Sequence, residues 1–129
     1  PRNTDDILLA RKLEVLCDGV CDAVVLTFFE RMRKEQQSPE WLARQRRKIE
    51  GGVREMARLG GDRPFAVGDA FTLGDVAVGT ARGYLRVRFA EFDWMSKYPT
   101  LDAYARRLDE RPSFANSVPY PQTIRDKVV

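Results

Sequence analysis

The side chains with the clearest chemical potential lie close together in the first part of the chain. Cys17 and Cys21 are four residues apart, and Glu14, Asp18 and Asp22 repeat at the same spacing. Thiols in such a pair could bind a metal or act as nucleophiles, and a carboxylate could act as a general base. The chain contains no His. A His-dependent nucleophile pair, a His-ligated zinc and a His proton shuttle are therefore excluded within it.

The two cysteines are predicted to be reduced and structural. Side chains four residues apart lie on one face of a helix, and a regular helical turn offers poor geometry for a disulfide. No third or fourth ligand accompanies the pair, so we expect no metal site. Free cysteines are commonly buried as small apolar side chains. Reduced thiols are typical of the cytoplasm, where we expect the protein to reside.

The net charge of +3 comes mainly from residues 31–58, which carry nine basic and four acidic side chains. Interleaved charges of this kind are typical of a solvated helix face with weak ion pairs. A phosphate-binding patch is the alternative, but Trp41 is the only aromatic residue there and no nucleic-acid-binding motif accompanies it. We expect no nucleic acid partner. We expect no membrane partner either, because no apolar run approaches the ~18 residues of a spanning helix.

Apolar residues recur at α-helical spacing through most of the chain, which predicts an all-α fold. Four main helices are expected, at about 4–35, 38–60, 72–89 and 98–111, with one further short helix from Pro112. Gly51 and Gly52 allow a kink in the second helix, and the segment from Phe92 to Trp94 is expected to be a loop. We therefore predict a single domain, residues 1–129, built as a bundle of four to six helices.

The sharpest local signal is a capping box at Thr72-Leu73-Gly74-Asp75. In this motif the Thr72 hydroxyl accepts from the backbone N–H of Asp75, and the Asp75 carboxylate accepts from the N–H of Thr72. The pattern marks a helix N-terminus and gives Asp75 a structural role. Catalysis is the alternative, but a lone carboxylate already engaged by backbone donors is a poor general base.

Two segments carry a family resemblance. Residues 65–77, FAVGDAFTLGDVA, contain the capping box, and residues 98–114 begin with Tyr98-Pro99-Thr100-Leu101 and end with Arg111-Pro112-Ser113-Phe114. Both are similar to motifs of the C-terminal all-helical domain of cytosolic glutathione transferases of bacterial type. Two long helices precede them in the order that this family shows, so the resemblance covers nearly the whole chain.

The resemblance implies the helical part of a two-domain enzyme that joins glutathione to an electrophile. In this family a thioredoxin-like N-terminal domain binds most of the glutathione and activates its thiol, and these residues contain no such segment. The resemblance thus implies no catalytic residue and no tightly bound cofactor here. It implies glutathione as co-substrate of the full-length protein, a small electrophile as its second substrate, and a homodimer. We expect the 129 residues alone to be inactive.

Four residues of the first helix correspond to binding positions of the family. Residues 17–22 are similar to a segment whose second Asp reaches across the dimer interface to the γ-glutamyl amine of glutathione. By that resemblance Asp22 completes the neighbouring subunit's glutathione site, and Asp18 lies at the same interface. Phe28 and Met32 correspond to positions that line the electrophile pocket. The residues alone also allow simpler roles. Asp18 and Asp22 could form a solvated acidic edge, and Phe28 and Met32 could be ordinary core residues.

Helical domains of this family also serve as non-catalytic assembly modules in translation factors and synthetases. The basic second helix would suit such a partner surface. A protein-interaction module is therefore the alternative function.

Overall fold

The computed structural model describes residues 3–60 and 63–123, and the regular structure within these ranges is entirely helical. The α-helices in these ranges are α1 (Thr4–Met32), α2 (Pro39–Gly60), α3 (Leu73–Arg88), α4 (Trp94–Lys97), α5 (Pro99–Asp109) and α6 (Pro112–Ala115). The predicted all-α bundle of four to six helices is confirmed. None of the helices described combines the length and apolar composition that a membrane crossing requires.

Helix α1 is the central element, because it packs against α2 on one side and α3 on another. Leu13 and Val24 of α1, Ile49 of α2 and Leu85 of α3 are all buried in the core between these helices. Complete burial of such a side chain contributes about 1.5–3 kcal/mol relative to exposure. The three long helices therefore stabilise one another.

Helix α2 continues as one helix through Gly51 and Gly52, where the sequence allowed a kink. Gly52 faces α1, and a Cβ atom there would lie 2.2 Å from Val20 Cγ2. A Cβ atom at Gly51 would have no neighbouring atom within 4 Å. Gly52 therefore permits the close approach of α1 and α2 and does not bend α2.

Helix α1 ends at Met32, three residues before the predicted Glu35, and a 3₁₀ turn follows over Lys34–Gln36. The Glu30 side chain explains the change of direction. Its carboxylate is largely buried and accepts from the backbone N–H of Ser38 at 2.6 Å, just before α2 begins. Ser38 in turn caps α2, because its hydroxyl accepts from the N–H of Trp41 at 3.2 Å.

The predicted loop around Trp94 is wrong in part, because Trp94–Lys97 forms the short helix α4. Asp93 caps it by accepting from the N–H of Ser96 at 3.2 Å. Phe92 and Trp94 are buried in the core. A helix of four residues is too short to show apolar periodicity, so its formation depends on this burial and on the cap.

Candidate functional site

The capping box at the start of α3 is present, and it belongs to a larger buried network around Asp75. Asp75 is 0% exposed. Its Oδ2 atom accepts from the Thr72 N–H at 2.7 Å and from the Thr72 hydroxyl at 3.0 Å. Its Oδ1 atom accepts from the Ala66 N–H at 2.8 Å and from the Tyr104 hydroxyl at 2.5 Å.

These four donors occupy both oxygens of Asp75, so the carboxylate has no capacity left to act on a substrate. Burial, and then the Asp75 carboxylate, raises the pKa of Tyr104 above its usual range. Asp75 therefore joins the segment before α3, the first turn of α3 and helix α5. Sequence reasoning found the contact with Thr72 and missed those with Ala66 and Tyr104.

The acidic residues of α1 differ in their partners. Glu14 forms an ion pair with Arg11 at 2.6 Å. Asp18 and Asp22 are exposed, and neither forms an ion pair with any residue in the described ranges. Like charges one helical turn apart repel each other. The Asp18 and Asp22 carboxylates thus form a small negative surface that is accessible to an external cation.

Both cysteines next to these carboxylates are free; Cys17 is buried as predicted for a core side chain, whereas Cys21 is only half-buried. Burial raises the pKa of the Cys17 thiol to about 12, with smaller contributions from Cys21 and Asp18. The pKa of Cys21 is also raised, first by burial and then by Asp18 and Asp22. Both thiols are therefore protonated at neutral pH and are poor nucleophiles. Residues 3–60 and 63–123 contain no cluster of three or more His, Cys, Asp or Glu side chains suited to a metal.

Phe28 and Met32 lie one turn apart on α1 and are both half-buried. Met32 lines an open hollow of about 790 Å³ at the turn between α1 and α2, together with Phe29 and Trp41. Phe28 packs edge-on against Phe29, with ring centroids 5.3 Å apart, and its face lies beneath the guanidinium of Arg88 in α3. The structure places Phe28 and Met32 on one stretch of α1, but only Met32 lines the hollow.

A second groove, of about 660 Å³, lies between α1, α3 and residues 117–121. Cys21, Tyr84 and Pro119 are among its lining residues. Arg82 also lines it and pairs with Asp109 of α5 at 2.5 Å, with only 8% of the Arg82 side chain exposed. Sequence reasoning missed this pair because no periodic pattern links two residues on different helices.

The charged face of α2 agrees with the solvated helix that the sequence favours. Arg46 pairs with Glu50 at 3.0 Å, and Arg58 pairs with Glu55 at 2.6 Å. Both arginines are exposed to solvent, and both glutamates are half-buried. Helical pairs of this kind typically contribute about 0.3–0.5 kcal/mol.

Comparison with known proteins identifies the family to which the chain belongs. The family model described as glutathione S-transferase, C-terminal domain, matches residues 39–107, which is more than half of the chain. The chain belongs to this family, and the resemblance found in its motifs is confirmed.

Three relatives illustrate the similarity. A glutathione S-transferase from Methylobacterium radiotolerans JCM 2831, solved in complex with glutathione sulfonate, is 64% identical with a TM-score of 0.96, over 100% of this chain and 61% of that one. A glutathione transferase family member from Pseudomonas fluorescens Pf-5 with bound S-(propanoic acid)-glutathione is 28% identical, with a TM-score of 0.72. The match covers 92% of this chain and 60% of that one. The uncharacterized GST-like protein YibF of Escherichia coli K12 is 33% identical over 92% of this chain and 59% of its own length. The chain thus spans about three fifths of each relative.

Proposed function

We propose that this chain is the helical domain of a glutathione transferase, in which it shapes the electrophile pocket and the dimer interface. The reaction is attack of the glutathione thiolate on an electrophilic carbon. The relatives from M. radiotolerans and P. fluorescens support this proposal, because both were solved with glutathione derivatives. The observation that carries it is the pair Asp18 and Asp22, which is exposed on α1 and has no described cationic partner.

We assign Asp22 to the γ-glutamyl ammonium group of the glutathione held by the neighbouring subunit. A carboxylate that accepts from an ammonium forms a charge-assisted hydrogen bond, which is roughly twice as strong as a neutral one. Asp18 lies one turn away on the same face and strengthens the local negative potential. Glu14 is already paired with Arg11, so it is less available for such a ligand.

The same helix offers an apolar surface for the neighbouring subunit. Five large apolar side chains of α1 are between 38% and 71% exposed: Ile7, Leu8, Val15, Leu26 and Phe29. A group of exposed apolar side chains along one helix favours an interaction site. We therefore assign the outer surface of α1 to the homodimer interface.

Phe28 and Met32 are assigned to the pocket for the electrophile. At 1.5 Å per residue, Met32 lies about 15 Å beyond Asp22 along α1. One helix can thus serve two sites, with Asp22 reaching the neighbour's glutathione, Met32 lining the hollow of its own subunit and Phe28 lying one turn before Met32. An aromatic ring and a flexible thioether suit a pocket for apolar compounds.

Activation of the glutathione thiol is assigned to a thioredoxin-like domain outside these 129 residues. The chain has no His, and the raised pKa values of Cys17 and Cys21 keep both thiols protonated at neutral pH. The free cysteines also favour a cytoplasmic location.

Asp22→Ala and Asp22→Asn in the full-length protein test this assignment. Loss of a hydrogen bond to a charged group, worth about 1.5–3 kcal/mol, should raise the KM for glutathione at least about tenfold and change kcat less than about twofold. Glu14→Gln, on the same helix, is the matched control and should change neither constant. An unchanged KM in both Asp22 variants would exclude Asp22 from the glutathione site.

The 129-residue chain alone should not conjugate glutathione to 1-chloro-2,4-dinitrobenzene above the uncatalysed rate. Activity well above that rate would contradict the assignment of thiol activation to another domain.

A further inference from the structure

Arg88, the last residue of α3, stacks on Phe28, a residue that we assign to the electrophile pocket. The carbon at the centre of its guanidinium group lies 4.1 Å from the centroid of the Phe28 ring. Stacking of this kind uses the flat face of the guanidinium and leaves the N–H donors at its edge available. The Nε atom of Arg88 is buried and has no hydrogen-bond partner in the structure.

Other arginines near Phe28 and along α3 already have acidic partners. Arg31, whose guanidinium lies over Phe89, pairs with Glu91 at 2.5 Å. Arg86 shares Asp109 with another arginine of α3, at 3.7 Å. Arg88 forms no ion pair within residues 3–60 and 63–123. It is therefore a positioned cation with unused donors beside an aromatic ring.

We propose that Arg88 binds an anionic group of the electrophile, so that the second substrate is an electrophile bearing a carboxylate. This inference rests on the proposed function, because Phe28 is assigned there to the electrophile pocket. The edge of a guanidinium matches the two oxygens of a carboxylate. A carboxylate also balances the single charge of Arg88.

Addition of glutathione to the double bond of an α,β-unsaturated acid is a balanced reaction. The glutathione sulfur forms a bond to the β-carbon, the electron pair of the double bond moves to the α-carbon, and the α-carbon takes a proton from water. No leaving group and no oxidant is needed. Arg88 holds the carboxylate and transfers no proton, so its role is to select the substrate and position it.

Binding of two glutathione conjugates to the full-length protein tests the inference. S-(2-carboxyethyl)glutathione and S-propylglutathione have similar size and differ in one carboxylate, and titration calorimetry measures both Kd values. The parent protein should bind the carboxyethyl conjugate at least about tenfold more tightly. Arg88→Gln should reduce this preference to less than about twofold without weakening S-propylglutathione, and Arg88→Lys should retain part of it.

Arg111→Gln is the matched control. Arg111 also stacks on an aromatic ring, with its guanidinium carbon 3.8 Å from the Phe71 centroid, and its Nε is also buried without a partner. Phe71 lies just before α3 begins, about 24 Å from the Arg88 end of that helix. Arg111→Gln should therefore keep the full preference for the charged conjugate.

The outcomes separate the inference from the function on which it rests. Equal binding of the two conjugates by the parent protein, or an unchanged preference in Arg88→Gln, would overturn the role of Arg88 while glutathione binding stands. Failure of the parent protein to bind either conjugate would overturn the proposed function, and the inference with it.

Discussion

Removal of the Tyr104 hydroxyl should destabilise the bundle by about 1.5–3 kcal/mol, the usual net value of a hydrogen bond to a charged group. This hydroxyl donates to Asp75 Oδ1 at 2.5 Å, and both residues are 0% exposed. In Tyr104→Phe the ring stays in place, so the packing changes little. The carboxylate loses one donor in a site that solvent does not reach.

Asp75→Asn should destabilise the fold more, because a buried N–H left without an acceptor costs about 1–3 kcal/mol in addition to the charge-assisted hydrogen bonds that are lost. Each oxygen of Asp75 accepts from one backbone N–H, that of Ala66 or that of Thr72. An Asn side chain has one oxygen and one NH₂ group, so one of these buried N–H donors must face another donor. The double variant with Tyr104→Phe should lose less stability than the sum of the two single variants, because the Tyr hydroxyl contributes less once the carboxylate is gone.

Urea unfolding of the 129-residue chain, followed by far-UV circular dichroism at pH 7, measures these free energies. Tyr84→Phe is the control, because Tyr84 is half-buried and its hydroxyl forms no hydrogen bond with a described residue. It should change the free energy of unfolding by less than about 0.5 kcal/mol. If Tyr104→Phe shifts the transition no more than Tyr84→Phe does, the buried hydrogen bond contributes nothing and this reasoning is refuted.

Two other predictions concern α1 and α2. Gly51→Ala should stabilise the chain by about 0.5–1 kcal/mol through helix propensity, whereas Gly52→Ala should destabilise it by about 1–3 kcal/mol, because its Cβ would meet Val20. Changes of the same sign in the two urea transitions would contradict the close contact. The Cys17 thiol should not react with a chromogenic disulfide reagent at pH 8 in the folded chain, and Cys21 should react slowly, because burial raises both pKa values. Both should react after denaturation, and rapid labelling of the folded chain would contradict their burial.

The local features of the fold were predictable from the sequence because each has a short-range cause. The capping box lies within four residues, and α5 follows from apolar spacing ended by Pro112. Helix α4 lacks such a pattern, since it has only four residues. The end of α1 depends on the Glu30 carboxylate bonding to the N–H of Ser38, a contact across the turn that no helix propensity encodes.

Part of the candidate site was likewise predictable from the sequence, and part required the packing of helices. Asp18, Asp22, Phe28 and Met32 could be placed on one helix from spacing, and their proposed roles came from the resemblance to the family. The position of Arg88 over Phe28 could not be predicted, because it requires the packing of α3 against α1. The joining of Asp75 to Tyr104 likewise requires α3 and α5 to meet.

Helix α1 links the two proposed roles of this domain through the position of its charges. Asp18 and Asp22 lie on α1 between the exposed apolar residues Val15 and Leu26. Association of subunits over this surface would remove water from the carboxylates, and a buried carboxylate without a partner is strongly unfavourable. The ammonium group of glutathione supplies that partner for Asp22 under the proposed assignment. Glutathione binding and subunit association must then strengthen each other by the same factor, because the coupling between two binding equilibria is reciprocal.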